Sequence, residues 1–301
     1  MTIGRREAAR LLLAGGFAGL YAPRALARCE GIVPGQRPQN TFPQDVGQTF
    51  DDIVARGFIE IAVYEEYRPY SWEEGGKPQG IDVEIGRIIA ESLGVEPRFR
   101  FVEAGENLDA DLMNYVWKGA VVGGHVSNLM MRVPYNSDYA CRVEQAVFTG
   151  QYASEAIAIA YRLADYPDGG PKPAYFRYDT VALENDSISD FYLTTLVGAA
   201  QDKVHRYAST GKAMEALAAG EVMAAMGPLA VLEAGLNPDL AVHQPPMPNF
   251  SLNSWTVGIA LHMSHRDLGY AADDAISAAL ADGRIPAIYK ALGLTYIPPE
   301  R

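Results

Sequence analysis

The side chains able to do chemistry in this sequence are scattered rather than gathered into a catalytic motif. No G-x-G-x-x-G, Walker loop, G-x-S-x-G, H-E-x-x-H or C-x-x-C-H occurs. Those absences weigh against nucleotide binding, serine hydrolysis, zincin chemistry and c-type haem attachment. The histidines include one close pair, His262 and His265, which follows a predicted strand, so a helical metal face is unsupported and no metal is expected. Acid catalysis would need a carboxyl in a cleft. Glu65, Glu66 and Glu103 are the candidates, and without any further constellation a non-enzymatic protein is expected. Recognition remains. Tyr70 and Trp72 follow the carboxyl end of the first predicted strand, where open α/β sheets place their ligands.

The elements that must position them alternate along the chain. Residues 58–64 are β-branched and aromatic and read as a strand, and 69–78 as loop and turn. Apolar residues at 81, 85, 88, 89 and 93 mark one face of a helix that Gly94 ends, and 96–102 is a second strand. A strand, helix, strand unit of this length implies parallel pairing. Helices are predicted at 108–117, 188–199, 212–219, 229–234, 268–281 and 285–292. Strands are predicted at 126–131, 156–161, 180–183, 223–226 and 255–261. The fold class is α/β. Leu163–Pro173, charged and rich in Pro and Gly, is the expected crossing between lobes, with a second near Asn249–Ser254.

Charge narrows the partners. The 301 residues carry 37 acidic and 25 basic side chains, a formal −12. That disfavours nucleic acid, which recruits clustered Lys and Arg, and anionic membrane surfaces. A basic protein partner stays open. Residues 1–27 read as a signal peptide: Arg5-Arg6, an apolar run over 11–20, then Ala25-Leu26-Ala27 as a cleavage site. The apolar run is too short for a membrane anchor, and no second long one exists. A periplasmic mature chain from Arg28 follows, with no membrane span. In an oxidising compartment, Cys29 and Cys141 are expected to pair.

The order of motifs resembles the family 3 periplasmic solute-binding proteins, the polar amino-acid type that feeds ABC importers. Tyr67-Arg68-Pro69-Tyr70-Ser71-Trp72, Gly80-Ile81-Asp82-Val83-Glu84-Ile85 and Leu93-Gly94 match its opening. Arg142 before Phe148 and Tyr152 resembles its Arg ahead of an F-S-x-P-Y segment. Ala216–Val222, Val257–Ala260 and Asp282–Ile285 resemble its later helix and strand ends. The resemblance implies a type II bilobed fold: lobe one from 57–161 and 255–301, lobe two from 162–254, after an arm at 28–56. It also implies a monomer that works with an ABC permease and closes over a ligand. Arg142 would pair with a ligand carboxylate.

The departures redirect that expectation. The acid that would meet a ligand amine after residues 223–226 is absent from Gly227-Pro228-Leu229, and Asn185-Asp186-Ser187 replaces the second carboxylate loop. Arg132 stands where the family has a small hydroxyl residue. An anionic ligand is therefore expected, held by Arg132 and Arg142. Trp117-Lys118-Gly119 and Val133-Pro134-Tyr135 further resemble a branch associated with quinoprotein methanol dehydrogenases, whose implied role is maturation of the dehydrogenase. Its partners would be that enzyme or its cytochrome c. Pyrroloquinoline quinone is a candidate ligand: Arg132, Arg142 and Lys118 would meet its carboxylates, and Tyr64, Tyr70, Trp72 or Trp117 would stack on its ring. Asp186 and Ser187 complete the expected site.

Overall fold

The computed structural model describes residues 48–121, 124–198 and 200–300. The expected signal peptide, most of the arm and Cys29 lie outside them. The end of the arm, from Phe50, is helical. Helix α1 (Phe50–Arg56) starts on a capping box in which Thr49 and Asp52 satisfy each other's backbone N–H groups. Gly57, at φ 78°, ends it.

The first lobe follows the predicted order with additions. Strand β1 (Phe58–Tyr64) leads to a hairpin of β2 (Trp72–Glu74) and β3 (Lys77–Gln79), where the sequence reads as loop and turn. Helix α2 (Ile81–Leu93) opens at Gly80. No other residue fits there: φ is 119° and a Cβ would lie 2.2 Å from the Tyr70 carbonyl oxygen. Strand β4 (Glu96–Val102) pairs parallel to β1 as expected. Helix α3 (Leu108–Leu112) runs into one π turn over Met113–Trp117, then come β5 (Leu129–Tyr135), α4 (Ser137–Arg142) and β6 (Ala146–Arg162).

The second lobe holds β7 (Val181–Glu184), α5 (Ile188–Val197), β8 (Val204–Tyr207), α6 (Thr210–Ala219), β9 (Ala224–Pro228), α7 (Leu229–Ala234) and β10 (Leu240–His243). Strand β11 (Ser254–His262) returns to the first lobe, followed by α8 (Arg266–Ala281) and α9 (Arg284–Ala291). Sheet order is β4-β1-β5-β11-β6-β9-β7-β8, with β10 also on β6.

Strand β6 joins the halves. Its residues up to Ala156 pair with β11, and Ile157–Tyr161 pair with β9. The passage between lobes is thus made inside a continuous strand, and Leu163–Pro173 follows that strand's end within the second half. A strand can make the crossing because its alternate residues stay buried on both sides: Ala153, Ile157, Ala158, Ile159 and Ala160 are all buried. Beside it, the Ile157 N–H donates to the Asn253 carbonyl at 2.8 Å, where the chain returns. The carboxyl-terminal residues cross the same region. The Thr295 N–H and hydroxyl both donate to Glu233 on α7, and the Ser154 N–H donates to the Ile297 carbonyl. Each half has apolar side chains packed on both faces of its sheet, Ile61 and Ile85 on one and Ala62 and Met130 on the other in the first, and Val181 and Leu183 against Leu217 and Ala182 in the second. No helix among the described residues is long and apolar enough to cross a membrane.

Candidate functional site

A cavity of 1210 Å³ opens between the halves at the carboxyl ends of the first lobe's strands. Tyr64 ends β1, Pro134 and Tyr135 end β5, and Phe148 and Glu155 lie on β6. Tyr67 and Tyr70 come from the loop after β1 and Asp111 from α3. The second lobe closes the space with Ile188, at the start of α5, and Leu252.

Beneath the cavity lies a buried ionic cluster drawn from three elements. Arg132 is 6% exposed, Asp82 1% and Glu155 4%. Arg132 grips Asp82 through both oxygens, Nε to Oδ2 at 2.6 Å and Nη2 to Oδ1 at 3.0 Å, and donates from Nη1 to Glu155 Oε1 at 2.9 Å. Tyr152 donates to Asp82 and Tyr70 to Glu155, at 2.8 and 2.7 Å. The guanidinium carbon stands 3.3 Å over the Tyr70 ring. The Arg132 backbone is left-handed, φ 58°, and its N–H donates to the Tyr152 oxygen at 3.0 Å. That conformation is costly for a residue other than glycine and persists because the surrounding bonds hold it. Burial raises the Glu155 carboxyl above its ordinary 4.5, with Arg132 and Tyr70 pulling partly the other way. Tyr289 points its hydroxyl into the same interior, where it has no hydrogen-bond partner among the described residues.

A second carboxylate lines the wall. Asp111, 4% exposed, accepts from the Tyr64 hydroxyl at 2.7 Å and the Gly105 N–H at 2.6 Å. Burial, then the Asp111 charge, pushes the Tyr64 phenol well up, so it stays a donor.

The expected site divides. Tyr64, Tyr70 and Arg132 line the cavity. Trp72 does not; it lies in a separate surface groove with Ile88 and Arg284, under the Arg68 guanidinium. Trp117 closes the π turn and packs on the core beside Leu112 and Val116, with Lys118 following it outside the lining. Arg142 is exposed at the end of α4, 5.6 Å from the Tyr139 ring. Ser187 caps α5 by accepting from the Asp190 N–H, and the exposed Asp186 donates its own N–H to the Asp190 carboxylate. Glu65, Glu66 and Glu103 are exposed and outside the lining. Cys141 sits in α4 and is not free. Its expected partner, Cys29, is outside the described residues.

The two expected cations are therefore not brought together: Arg132 lines the cavity and Arg142 does not. Arg132 is the one cation among the described lining residues, and two carboxylates already neutralise it. A dicarboxylate or pyrroloquinoline quinone would meet Asp111 and Glu155 with no unpaired cation to offset them. Sequence reasoning missed Tyr67, Asp111 and Glu155. Glu155 had a signal, a single acid in the apolar run Ala156-Ile157-Ala158-Ile159-Ala160 and its approach.

With this arrangement in view, comparison with known proteins bears on part of the chain. Residues 59–114 match the bacterial extracellular solute-binding proteins, family 3. This segment is similar to that family. It spans nearly all of β1, the tyrosine loop, α2 and β4, and carries Tyr64, Tyr67, Tyr70 and Asp111 of the cavity lining. Among curated proteins, none matches the sequence. Solved structures agree on the bilobed type II binding-protein fold. An ancestral cationic amino acid solute binding protein superposes with a TM-score of 0.66 at 16% identity, covering 81% of this chain and 98% of its own. A Streptococcus pneumoniae amino acid ABC transporter substrate-binding protein bound to L-arginine gives 0.60 at 20%, covering 83% and 100%. A Neisseria gonorrhoeae solute receptor for L-cysteine gives 0.57 at 22%, covering 81% and 93%.

Proposed function

We propose that this chain is an exported family 3 solute-binding protein of altered specificity, serving a quinoprotein alcohol dehydrogenase system in the periplasm. The observation that carries the binding role is the cavity between two lobes joined through β6, the architecture of hinge closure over a solute. The family match supports a small ligand and an ABC permease as partner. Altered specificity rests on Arg132, which is tied down by Asp82 and Glu155, and on Arg142, which stands outside the lining. The α-carboxylate of an amino acid has no cation to meet. The link to a methanol-type dehydrogenase rests on Trp117-Lys118-Gly119 and Val133-Pro134-Tyr135, of which Pro134 and Tyr135 line the cavity. Export would remove residues 1–27 and leave Arg28 first, with Cys29 bridged to Cys141.

A second reading is an accessory partner that holds part of the dehydrogenase or its cytochrome c. The cavity favours it by size, since 1210 Å³ exceeds the roughly 300–1,000 Å³ usual for small-molecule sites. A thermal-shift panel of amino acids, amines, organic acids and quinone cofactors on the mature protein separates the two. Stabilisation by a small solute supports the first reading. No response from any solute, together with co-purification of a quinoprotein or cytochrome, supports the second.

A further inference from the structure

We propose that the cleft holds an organic cation lacking an α-carboxylate, an alkylammonium or guanidinium compound, seated on Asp111 and the tyrosines beside it. This deepens the solute-binding reading and rests on it. Asp111 is 4% exposed, yet its partners are a phenol and a backbone N–H, and no Lys, Arg or His pairs with it among the described residues. A buried carboxylate ordinarily has a counter-charge. Here the missing charge faces a cavity large enough to supply it.

The wall beside Asp111 suits that charge. The rings of Tyr64 and Tyr67 meet edge to face with centroids 6.2 Å apart, and Tyr67 and Tyr70 lie 4.8 Å apart. Three tyrosines thus run from the Asp111 carboxylate to the Glu155 carboxylate, the first and last donating to those acids. Aromatic faces within about 6 Å attract ammonium and guanidinium groups, more strongly where water is excluded. Tyr70 already carries the Arg132 guanidinium on its ring, so Tyr64 and Tyr67 are the faces left for a ligand.

The cavity also discriminates against a carboxylate on the same molecule. Arg132 is neutralised from within. The α5 N-terminus, which brings Ile188 to the lining, is occupied by its own Ser187 cap and by Asp190, with Asp186 adjacent. Glu155, Asp273 and Glu300 add acidic side chains to the lining. A guanidinium amine should therefore bind better than the amino acid built on the same group.

Agmatine and arginine differ by that carboxylate alone and make the test. Calorimetry of the mature protein with agmatine, putrescine, arginine, glutamine and succinate should show agmatine or putrescine binding at least tenfold tighter than arginine, and no binding of succinate. Asp111→Asn, which keeps an acceptor for Tyr64, should weaken the amine at least tenfold; Tyr67→Leu, at a side chain outside the ionic cluster, should weaken it severalfold. Amine binding should also weaken as salt rises. Arginine equal to agmatine, or amine binding unmoved by Asp111→Asn, overturns the inference. So does tight binding of glutamine or succinate in place of the amines, which would leave the solute-binding reading standing. Silence from every probe on a folded protein overturns both.

Discussion

Two ionic clusters in this molecule use the same residue types and stand in opposite surroundings. In the first lobe, Arg132 joins Asp82 and Glu155 across three elements, all nearly sealed from water. In the second, Arg206 on β8 meets Asp190 on α5 at 2.9 Å, with the arginine side chain 32% exposed. Water reaches the arginine of the second pair though Asp190 is buried, and its geometry comes from neighbouring elements of one lobe. The first replaces hydration entirely with protein groups, so each of its members depends on the others. It also sits where β6 passes between lobes, which ties the integrity of the hinge to a charge balance of one cation against two carboxylates.

The largest expected effect follows from removing the buried cation. Arg132→Met should cost about 3–5 kcal/mol of unfolding free energy, because two carboxylates are left buried without a counter-charge. Arg206→Met should cost less, about 1–2 kcal/mol, because its guanidinium is part-exposed and the buried Asp190 keeps its bonds from Thr194 and the Asp186 N–H. Urea titration of both variants checks the contrast, and equal losses would break it. Should Arg132→Met fail to fold, adding Asp82→Asn and Glu155→Gln should restore folding by discharging the orphaned acids.

Next in size is pH, where the clusters should act with opposite sign. Burial raises the Glu155 carboxyl above 4.5 in the folded protein. The folded state then keeps a proton that the unfolded chain has released, so stability from this group falls as pH rises through the window above 4.5. For Asp190, burial alone would raise the carboxyl. The bonds from Arg206, the Asp186 N–H and Thr194 outweigh it and hold the group below 3.8. Its contribution is present above 3.8 and is lost as pH falls through the depressed value. Urea midpoints measured from about pH 3 to 7 should show Glu155→Gln removing a component that declines with pH, and Asp190→Asn removing one that climbs with it. The same sign in both would mean that Glu155 is better paired than its burial implies.

The contrast also explains what was legible. Ser187 and Asp190 lie three residues apart, and a serine before an apolar helical run announces a cap, so the start of α5 could be read locally. The run of β-branched residues announced β1, and 3.6-residue spacing announced α2. Asp82 and Arg132 are 50 positions apart and Arg132 and Glu155 are 23, so nothing in local spacing pairs them. Arg132 instead looked like a spare cation, whereas in the fold Asp82 and Glu155 pair it. Strand β6 was read from Ala156 to Tyr161 because only there is the apolar run continuous; upstream, Thr149, Gln151 and Ser154 interrupt it, though both faces are still covered. The short edge strands β8 and β10 carry four residues each and were not read from the sequence.

A smaller effect separates hydrogen bonding from charge within the buried cluster. Tyr152→Phe removes the donor to Asp82 Oδ1 and the acceptor for the Arg132 N–H while leaving every charge in place. A loss of about 1–2 kcal/mol is expected, since a buried N–H loses its acceptor. A loss equal to that of Arg132→Met would mean that the cluster depends on its tyrosines more than on its ion pairs.

The smallest effect belongs to the other arginine that the sequence singled out. Arg142 is exposed in the last turn of α4, beside the Tyr139 ring at 5.6 Å, and forms no ion pair within the described residues. Surface substitutions of this kind usually fall within about 0.5 kcal/mol. Arg142→Ala should therefore leave the urea midpoint, and the binding of any solute, within error of the parent protein. The variant is informative because Arg132 and Arg142 are chemically identical and ten positions apart, and only burial distinguishes their expected consequences. If Arg142→Ala abolished solute binding while leaving stability intact, the bound solute would have to reach the far end of α4, whose first residue, Ser137, lines the cavity. The anionic ligand class would then regain the cation that the present geometry denies it.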